Sequence, residues 1–384
     1  MRSQDRFRGC LIGGAAGDAL GYPVEFIGEG SIFRKYGEQG ITAYKLEKQD
    51  VTAYELEDGE ALISDDTQMT LFTAAGLLAC TAREGSAEKT EANTETNSKF
   101  NTEKYTQYIH ASYLDWLNTQ EKRYPLPGFP RTSWLAEILG LYDLRAPGNT
   151  CLAALRSGRC GTIEEPLNDS KGCGGVMRVA PAGLYFNDRN ISVKQVARIG
   201  ADAAAVTHGH PLGWMPAAAL AQIVHEVSQD DETVLDAVLH SLNTVDEMWP
   251  ETKERKYFTR LMEKAIDLAA EDLDDLDAIH ALGEGWVADE ALAIAVYCAL
   301  KYENDFDRCL IAAVNHKGDS DSTGAIAGNI LGAKLGLSGI PEKYTDNLEL
   351  KDVILEIADD LYYDCRPGKT PADAARIRKY LGEA

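Results

Sequence analysis

Residues 69–82 (MTLFTAAGLLACTA) and 287–300 (VADEALAIAVYCAL) are apolar on nearly every face of a helix. A surface helix carries one apolar stripe, whereas a helix that is apolar all round has to be enclosed by other helices. Two such segments demand a large bundle around them. The rest of the chain is rich in alanine and poor in alternating apolar and polar stretches, which favours helix over strand. The predicted fold class is therefore all-α. A chain of 384 residues that is 45% hydrophobic can bury a core of that size. No period of about 20 to 50 residues recurs, which argues against a solenoid.

Residues 83–104 (REGSAEKTEANTETNSKFNTEK) break the pattern, being rich in Thr, Glu, Asn, Ser and Lys with a single aromatic, Phe100. They read as a flexible insertion between two helices. A second polar stretch, 124–133, interleaves Pro125, Pro127 and Pro130 with aromatics and reads as an ordered loop. Neither break separates two self-sufficient halves, so residues 1–384 are predicted to form one domain. The net charge of −23, from 61 acidic and 38 basic residues, repels nucleic-acid phosphates and anionic lipid, so no nucleic-acid or membrane partner is expected. The eight cysteines show no C-x-x-C pair and no metal spacing with histidine, and read as reduced thiols of a cytoplasmic protein. Arg2, Arg6 and Arg8 before a short apolar run imitate a secretory signal, but Asp18 interrupts the run too early. No uninterrupted run of about 18 apolar residues suggests a membrane span.

Charged motifs stand at both ends of the chain. Ser64-Asp65-Asp66-Thr67 directly precedes the first apolar run, and Gly318-Asp319-Ser320-Asp321-Ser322-Thr323 precedes a helix with small residues at i and i+4. Taken alone, each motif is also an ordinary N-cap. Together they supply four carboxylates and flanking hydroxyls, an oxygen-only set that suits hard cations such as magnesium and offers neither thiolate nor imidazole for zinc. The EF-hand spacing for calcium is absent. Small residues at 324–332 permit close approach of a neighbouring helix. Near the N-terminus, residues 13–26 (GGAAGDALGYPVEF) are glycine-dense yet match neither a P-loop nor a Rossmann fingerprint. Asp18 and Glu25 lie there in apolar surroundings, either as hydrogen-bonded structural groups or as part of a site.

These segments, with Gly174-Gly175-Val176-Met177-Arg178 and Thr207-His208, stand in the order typical of ADP-ribosylglycohydrolases, and the chain resembles that family over roughly residues 7–365. The resemblance implies a single orthogonal helical bundle with two magnesium ions at the bottom of a cleft for ADP-ribose. By position, Ser64, Asp65, Asp66, Asp319, Asp321 and Ser322 match the family's metal ligands, with Ser64 and Ser322 where the family usually has Thr. Glu25 matches a glutamate beside the metal centre in serine-directed members. Residues 168–178, with Ser170, Lys171, Gly172, Cys173 and Gly174 as the binding positions, resemble the loop along the diphosphate and distal ribose. Exposed backbone N–H groups in a glycine-rich turn suit phosphate oxygens. His208 matches a histidine at the adenosine end, and His210 is not carried over. Cys173 stands where serine-directed members carry Asn, which leans towards the arginine-directed branch. Read alone it is a small buried hydrophobe with no base beside it. The segment 286–289 resembles a family helix and reads as core.

The implied function is magnesium-dependent hydrolysis that removes ADP-ribose from a modified target, foremost the N-glycosidic bond of ADP-ribosylarginine on protein. Glu25 and Asp66 are the carboxylates expected to transfer the proton. The alternatives are hydrolysis of a serine O-linked or small-metabolite ADP-ribosyl bond, or a binder that neutralises an ADP-ribosyltransferase toxin. The expected partner is an ADP-ribosylated protein or an ADP-ribose-containing small molecule.

Overall fold

Alanine and leucine favour helix wherever they dominate a segment, and the described residues of this chain fold into sixteen α-helices. The structure, a computed structural model, describes residues 3–47, 59–87, 101–126, 131–186, 191–229, 232–366 and 370–381. The helices are α1 (Gln4–Gly21), α2 (Glu29–Tyr36), α3 (Asp65–Ala87), α4 (Thr102–Glu121), α5 (Asn149–Arg156), α6 (Ala180–Tyr185), α7 (Val193–Ala205) and α8 (Pro211–Val227). The second half continues with α9 (Val234–Met248), α10 (Arg255–Ala270), α11 (Asp275–Leu282), α12 (Ala288–Lys301), α13 (Phe306–Val314), α14 (Ser320–Leu335), α15 (Lys351–Tyr363) and α16 (Pro371–Leu381). Two short strands, β1 (Leu46–Glu47) and β2 (Glu60–Ala61), pair antiparallel with Leu46 opposite Ala61. The all-α expectation therefore holds.

Both all-round apolar runs became enclosed helices. Met69, Phe72, Leu77 and Leu78 of α3, and Leu292, Ile294, Val296 and Tyr297 of α12, are buried. α3 packs on α4, α6, α15 and α16, while α12 packs on α8, α10 and α14. The closest pair is α1 with α14. A Cβ added at Gly9, Gly13, Gly17 or Gly21 of α1 would collide with the carbonyl oxygen of Gly332, Gly328, Gly324 or Ser320 respectively. The small residues predicted to admit a neighbouring helix do so, and that neighbour is the glycine-dense N-terminal segment.

Both ends of the segment 83–104 are helical where an insertion was expected. α3 continues through residues 83–87 and α4 starts at Thr102. Arg83 is held by hydrogen bonds to the carbonyls of Tyr380 at 3.0 Å and Arg131 at 2.8 Å, and Lys104 pairs with Glu84. Polar composition misled because these side chains bridge helix ends instead of facing water alone. Residues 88–100 lie outside the described residues. Among the described residues no helix is long and apolar enough to cross a membrane.

Candidate metal centre and active cleft

The N-terminus of α3 is fixed from another helix. Asp18, in the last turn of α1, accepts the Ser64 N–H at 2.9 and 3.0 Å on its two oxygens, and the Thr67 N–H at 3.1 Å. The Thr67 hydroxyl donates to it as well. These donors are free because the first turn of a helix has no intrahelical acceptors for them. Asp18 is fully buried, and burial pushes its carboxyl up to about 6 against the downward pull of those donors. Of the two roles the sequence left open, Asp18 takes the structural one. Ser64 adds a cap of its own, its hydroxyl accepting the Asp66 N–H at 3.2 Å.

The N-terminus of α14 arrives beside it. Asp319 caps that helix by accepting the Ser322 N–H at 3.2 Å, and Asp321 accepts the same N–H at 3.0 Å. Capping and site formation coincide here, because the free N–H groups that need an acceptor also orient the carboxylates. α1 ends in a single 3₁₀ turn, Tyr22–Val24, that delivers Glu25 to the same place. Glu25, Asp319 and Asp321 each bring a carboxylate oxygen within 4.8 Å of the others. With Asp65, Asp66 and Ser322 they line one cleft of about 330 Å³. Acids from opposite ends of the polypeptide have thus met.

Their electrostatics describe a site that needs positive charge. Burial, then the neighbouring Asp319, Asp65 and Asp18, push Glu25 up to about 9. Burial pushes Asp65 up to about 8, partly offset by the Gly148 N–H that it accepts at 3.1 Å. Asp66 and Asp321 rise well above the usual carboxylate range through burial and the like charges around them, and Asp319 rises through burial. Glu25 Oε2 and Asp66 Oδ2 are buried without a hydrogen-bond partner. Unpartnered buried carboxylates are costly unless a cation is shared among them. The donors are all oxygen, so the residues present fit a hard divalent cation.

The opposite wall is the glycine-rich loop. Gly172, Cys173, Gly174 and His208 all line the cleft. Gly174 permits the close approach, since a Cβ there would come within 2.9 Å of Cys151 Sγ and 3.1 Å of His208 Cε1. His208 is pushed down to about 3 by burial and by the adjacent Arg178, so the imidazole is neutral, with Nδ1 2.8 Å from Thr207 Oγ1. Cys173 departs from the reading of a buried hydrophobe. It is partly exposed to the cleft and its thiol donates to Asp319 Oδ2 at 2.7 Å. Burial and the charges of Asp319 and Asp66 hold that thiol well above its ordinary range, which disfavours a thiolate nucleophile.

Three predicted residues stand behind the cleft and not in its lining. Ser64 is fully buried. The Ser170 hydroxyl is shared between Thr150 Oγ1 at 3.2 Å and the Gly172 N–H at 3.3 Å. The Lys171 carbonyl accepts the Ala288 N–H at 2.9 Å, joining the loop to α12. His210, not carried over, caps α8 by accepting the Leu212 N–H at 3.0 Å. Arg178 of the glycine-rich segment belongs to the core. Its guanidinium lies 4.2 Å over the Tyr113 ring and donates to Ala203 O at 3.1 Å and Thr207 Oγ1 at 2.7 Å.

Sequence reading missed residues 146–150, which form a further wall of the cleft, and the rim residues Phe26 and Trp286. The wall had a signal in Ala146-Pro147-Gly148-Asn149, a turn sequence. Its position depends on Arg145, which pairs with Glu349 at 2.9 Å, while Glu349 also accepts the Ile63 N–H at 2.9 Å. Trp286 was read as core yet is 38% exposed. Asp289, from the same segment, is core as predicted.

A model of the ADP-ribosylglycohydrolase family matches residues 1–370, and the chain belongs to that family of metal-using enzymes, which remove ADP-ribose by hydrolysis. An uncharacterised protein of Archaeoglobus fulgidus is 27% identical over 361 residues, 94% of this chain and 96% of its own length. The ADP-ribosyl-[dinitrogen reductase] glycohydrolase of Rhodospirillum rubrum is 24% identical over 353 residues, 90% of this chain and 91% of its own. The ADP-ribosylhydrolase ARH3 of Bos taurus is 27% identical over 220 residues, so the match spans 50% of this chain and 59% of the bovine protein. A solved structure titled ADP-ribosylglycohydrolase-related protein complex shares the fold at a TM-score of 0.57 and 20% identity, covering 94% of this chain and 98% of that one.

Proposed function

We propose that this glycohydrolase releases ADP-ribose from modified arginine on protein, hydrolysing the N-glycosidic bond at C1″ with two magnesium ions as cofactor. The observation that carries the reading is the convergence of Asp65 and Asp66 with Asp319, Asp321 and Glu25 in one buried cleft. Ser64, Asp65, Asp66, Asp319, Asp321 and Ser322 are the residues that would hold the ions. Bound there, the ions supply Lewis-acid polarisation and a template for the sugar oxygens.

The chain's own groups do the rest. The glycine-rich loop at 172–174 lies along the diphosphate, and neutral His208 flanks the nucleoside without competing for the anion. Enclosure of the cleft floor excludes bulk water, which strengthens every charge interaction inside it. Cleavage at C1″ builds positive charge on the ribose, and the carboxylate wall stabilises it. Glu25 Oε2, buried and unpartnered, is the atom we assign to hold and move the proton at the leaving nitrogen, with Asp66 Oδ2 as the second such atom. An acidic cleft also suits a cationic guanidinium better than a neutral hydroxyl. The near full-length match to the dinitrogen reductase glycohydrolase supports a protein-bound target.

The test is release of ADP-ribose from arginine-modified and serine-modified peptides, with and without EDTA. We expect faster release from arginine, loss of turnover with chelator and restoration by magnesium. Asp65→Ala and Asp321→Ala should each lower kcat by at least about 100-fold, in line with removal of a group that positions the reacting centre. Activity within about threefold of wild type in both variants would sink the site assignment.

A further inference from the structure

Phe26 and Trp286 are an anomaly of the cleft. Phe26 is 71% exposed and Trp286 38% exposed, yet both border a site whose floor is buried. Their rings stack on each other, with centroids 5.9 Å apart and planes at 21°. Each is held from behind. Phe26 follows Glu25 directly, and the two are the central residues of a tight turn closed by the Ile27 N–H on Val24 O at 3.1 Å. The Trp286 carbonyl accepts the Cys173 N–H at 3.2 Å. Folding gains little from a phenyl ring left in water, so an ordered, exposed aromatic pair beside a reaction site points to a ligand.

We propose that the Phe26–Trp286 pair recognises the acceptor by stacking against the planar guanidinium of the modified arginine, and so selects a cationic leaving group over a hydroxyl. This rests on the arginine reading given above. Phe26 adjoins Glu25, at the carboxylate end of the cleft, and Trp286 meets it from the Cys173 end of the loop, so we place the group beyond C1″ against the Phe26 ring. Phosphate and nucleoside fall on the Gly172–Gly174 and His208 side. A guanidinium stacks on aromatic faces and is drawn to their negative quadrupole, and the adjacent acids add to the attraction. A serine hydroxyl gains from neither.

The experiment compares wild type with Phe26→Ala, Trp286→Ala, Phe26→Leu and Phe26→Tyr, all changes of partly or largely exposed side chains. For each, kcat and KM are measured on arginine-linked and serine-linked ADP-ribosyl peptides, and free ADP-ribose binding is measured by calorimetry. The expected result is a loss of about tenfold in kcat/KM for the arginine peptide in the Ala and Leu variants, mainly through KM. Phe26→Tyr should stay near wild type, and ADP-ribose affinity should hold within about twofold. A matching loss of ADP-ribose affinity would overturn the proposal by assigning the pair to the nucleotide. Unchanged arginine kinetics in both Ala variants would overturn it while leaving the arginine reading intact. Wild-type release from serine but not arginine would remove the arginine reading and this proposal with it.

Discussion

Asp18 and Asp66 are both buried aspartates at the same helix junction, and their partners give them different work. The oxygens of Asp18 receive two backbone N–H groups and a hydroxyl, whereas Asp66 Oδ2 receives nothing. A satisfied carboxylate anchors structure, and a bare one among other acids calls for a cation. Asp18→Ala should therefore cost about 2 kcal/mol in a urea melt, because it strips the acceptor from α3's first turn. It should also weaken magnesium binding measured by calorimetry, although Asp18 does not line the cleft. The acidic motifs at these positions were legible in the sequence as candidate ligands. Which acid serves as anchor was not, because that depends on a donor 46 positions away. His208 carries the pH prediction. Its folded pKa lies near 3, below the ordinary value of 6.5, so between those values the unfolded chain binds a proton that the folded chain refuses. Stability from this group is present above about pH 6.5 and is lost as pH falls towards 3. With magnesium saturating, His208→Gln should lose less stability than wild type between pH 6.5 and 4.5, by roughly 1 to 2 kcal/mol in denaturant titrations at each pH.

At the level of elements, the decisive contact is α1 against α14. Their glycines bring backbone onto backbone, so added volume has no side chain to displace. Gly13→Leu should destabilise the protein by at least about 3 kcal/mol or abolish soluble expression. Gly28→Ala is the control: nothing lies within 4 Å of a Cβ there, its φ of −69° is ordinary, and the urea midpoint should not fall. Half of this contact was readable, since the small residues at 324–332 announced a close neighbour. The other half was obscured because glycines at i and i+4 in residues 9–21 serve equally well for approach to a ligand. The two enclosed helices were legible from composition alone. Residues 83–87 were not, since Arg83 gains its carbonyl partners only once α16 and the 131 region are in place.

For the molecule as a whole, the acidic cleft is a liability that a cation relieves. The metal-free protein concentrates like charge where residues from 25 to 321 meet, so divalent binding should stabilise the entire fold. Magnesium at 100 times its dissociation constant should add about 2.7 kcal/mol, seen as a higher Tm than in EDTA. Hydrogen exchange should slow together at the N-termini of α3 and α14. The seam between α1 and α14 has a consequence for how defects would be inherited. With no compressible side chains between them, these two helices act as a ruler that fixes how far Asp319 and Asp321 stand from the junction held by Asp18. Sliding by a single helical turn would carry those acids about 5.4 Å out of register. Lesions that silence the enzyme should therefore gather along an interior line of glycines that no substrate ever touches.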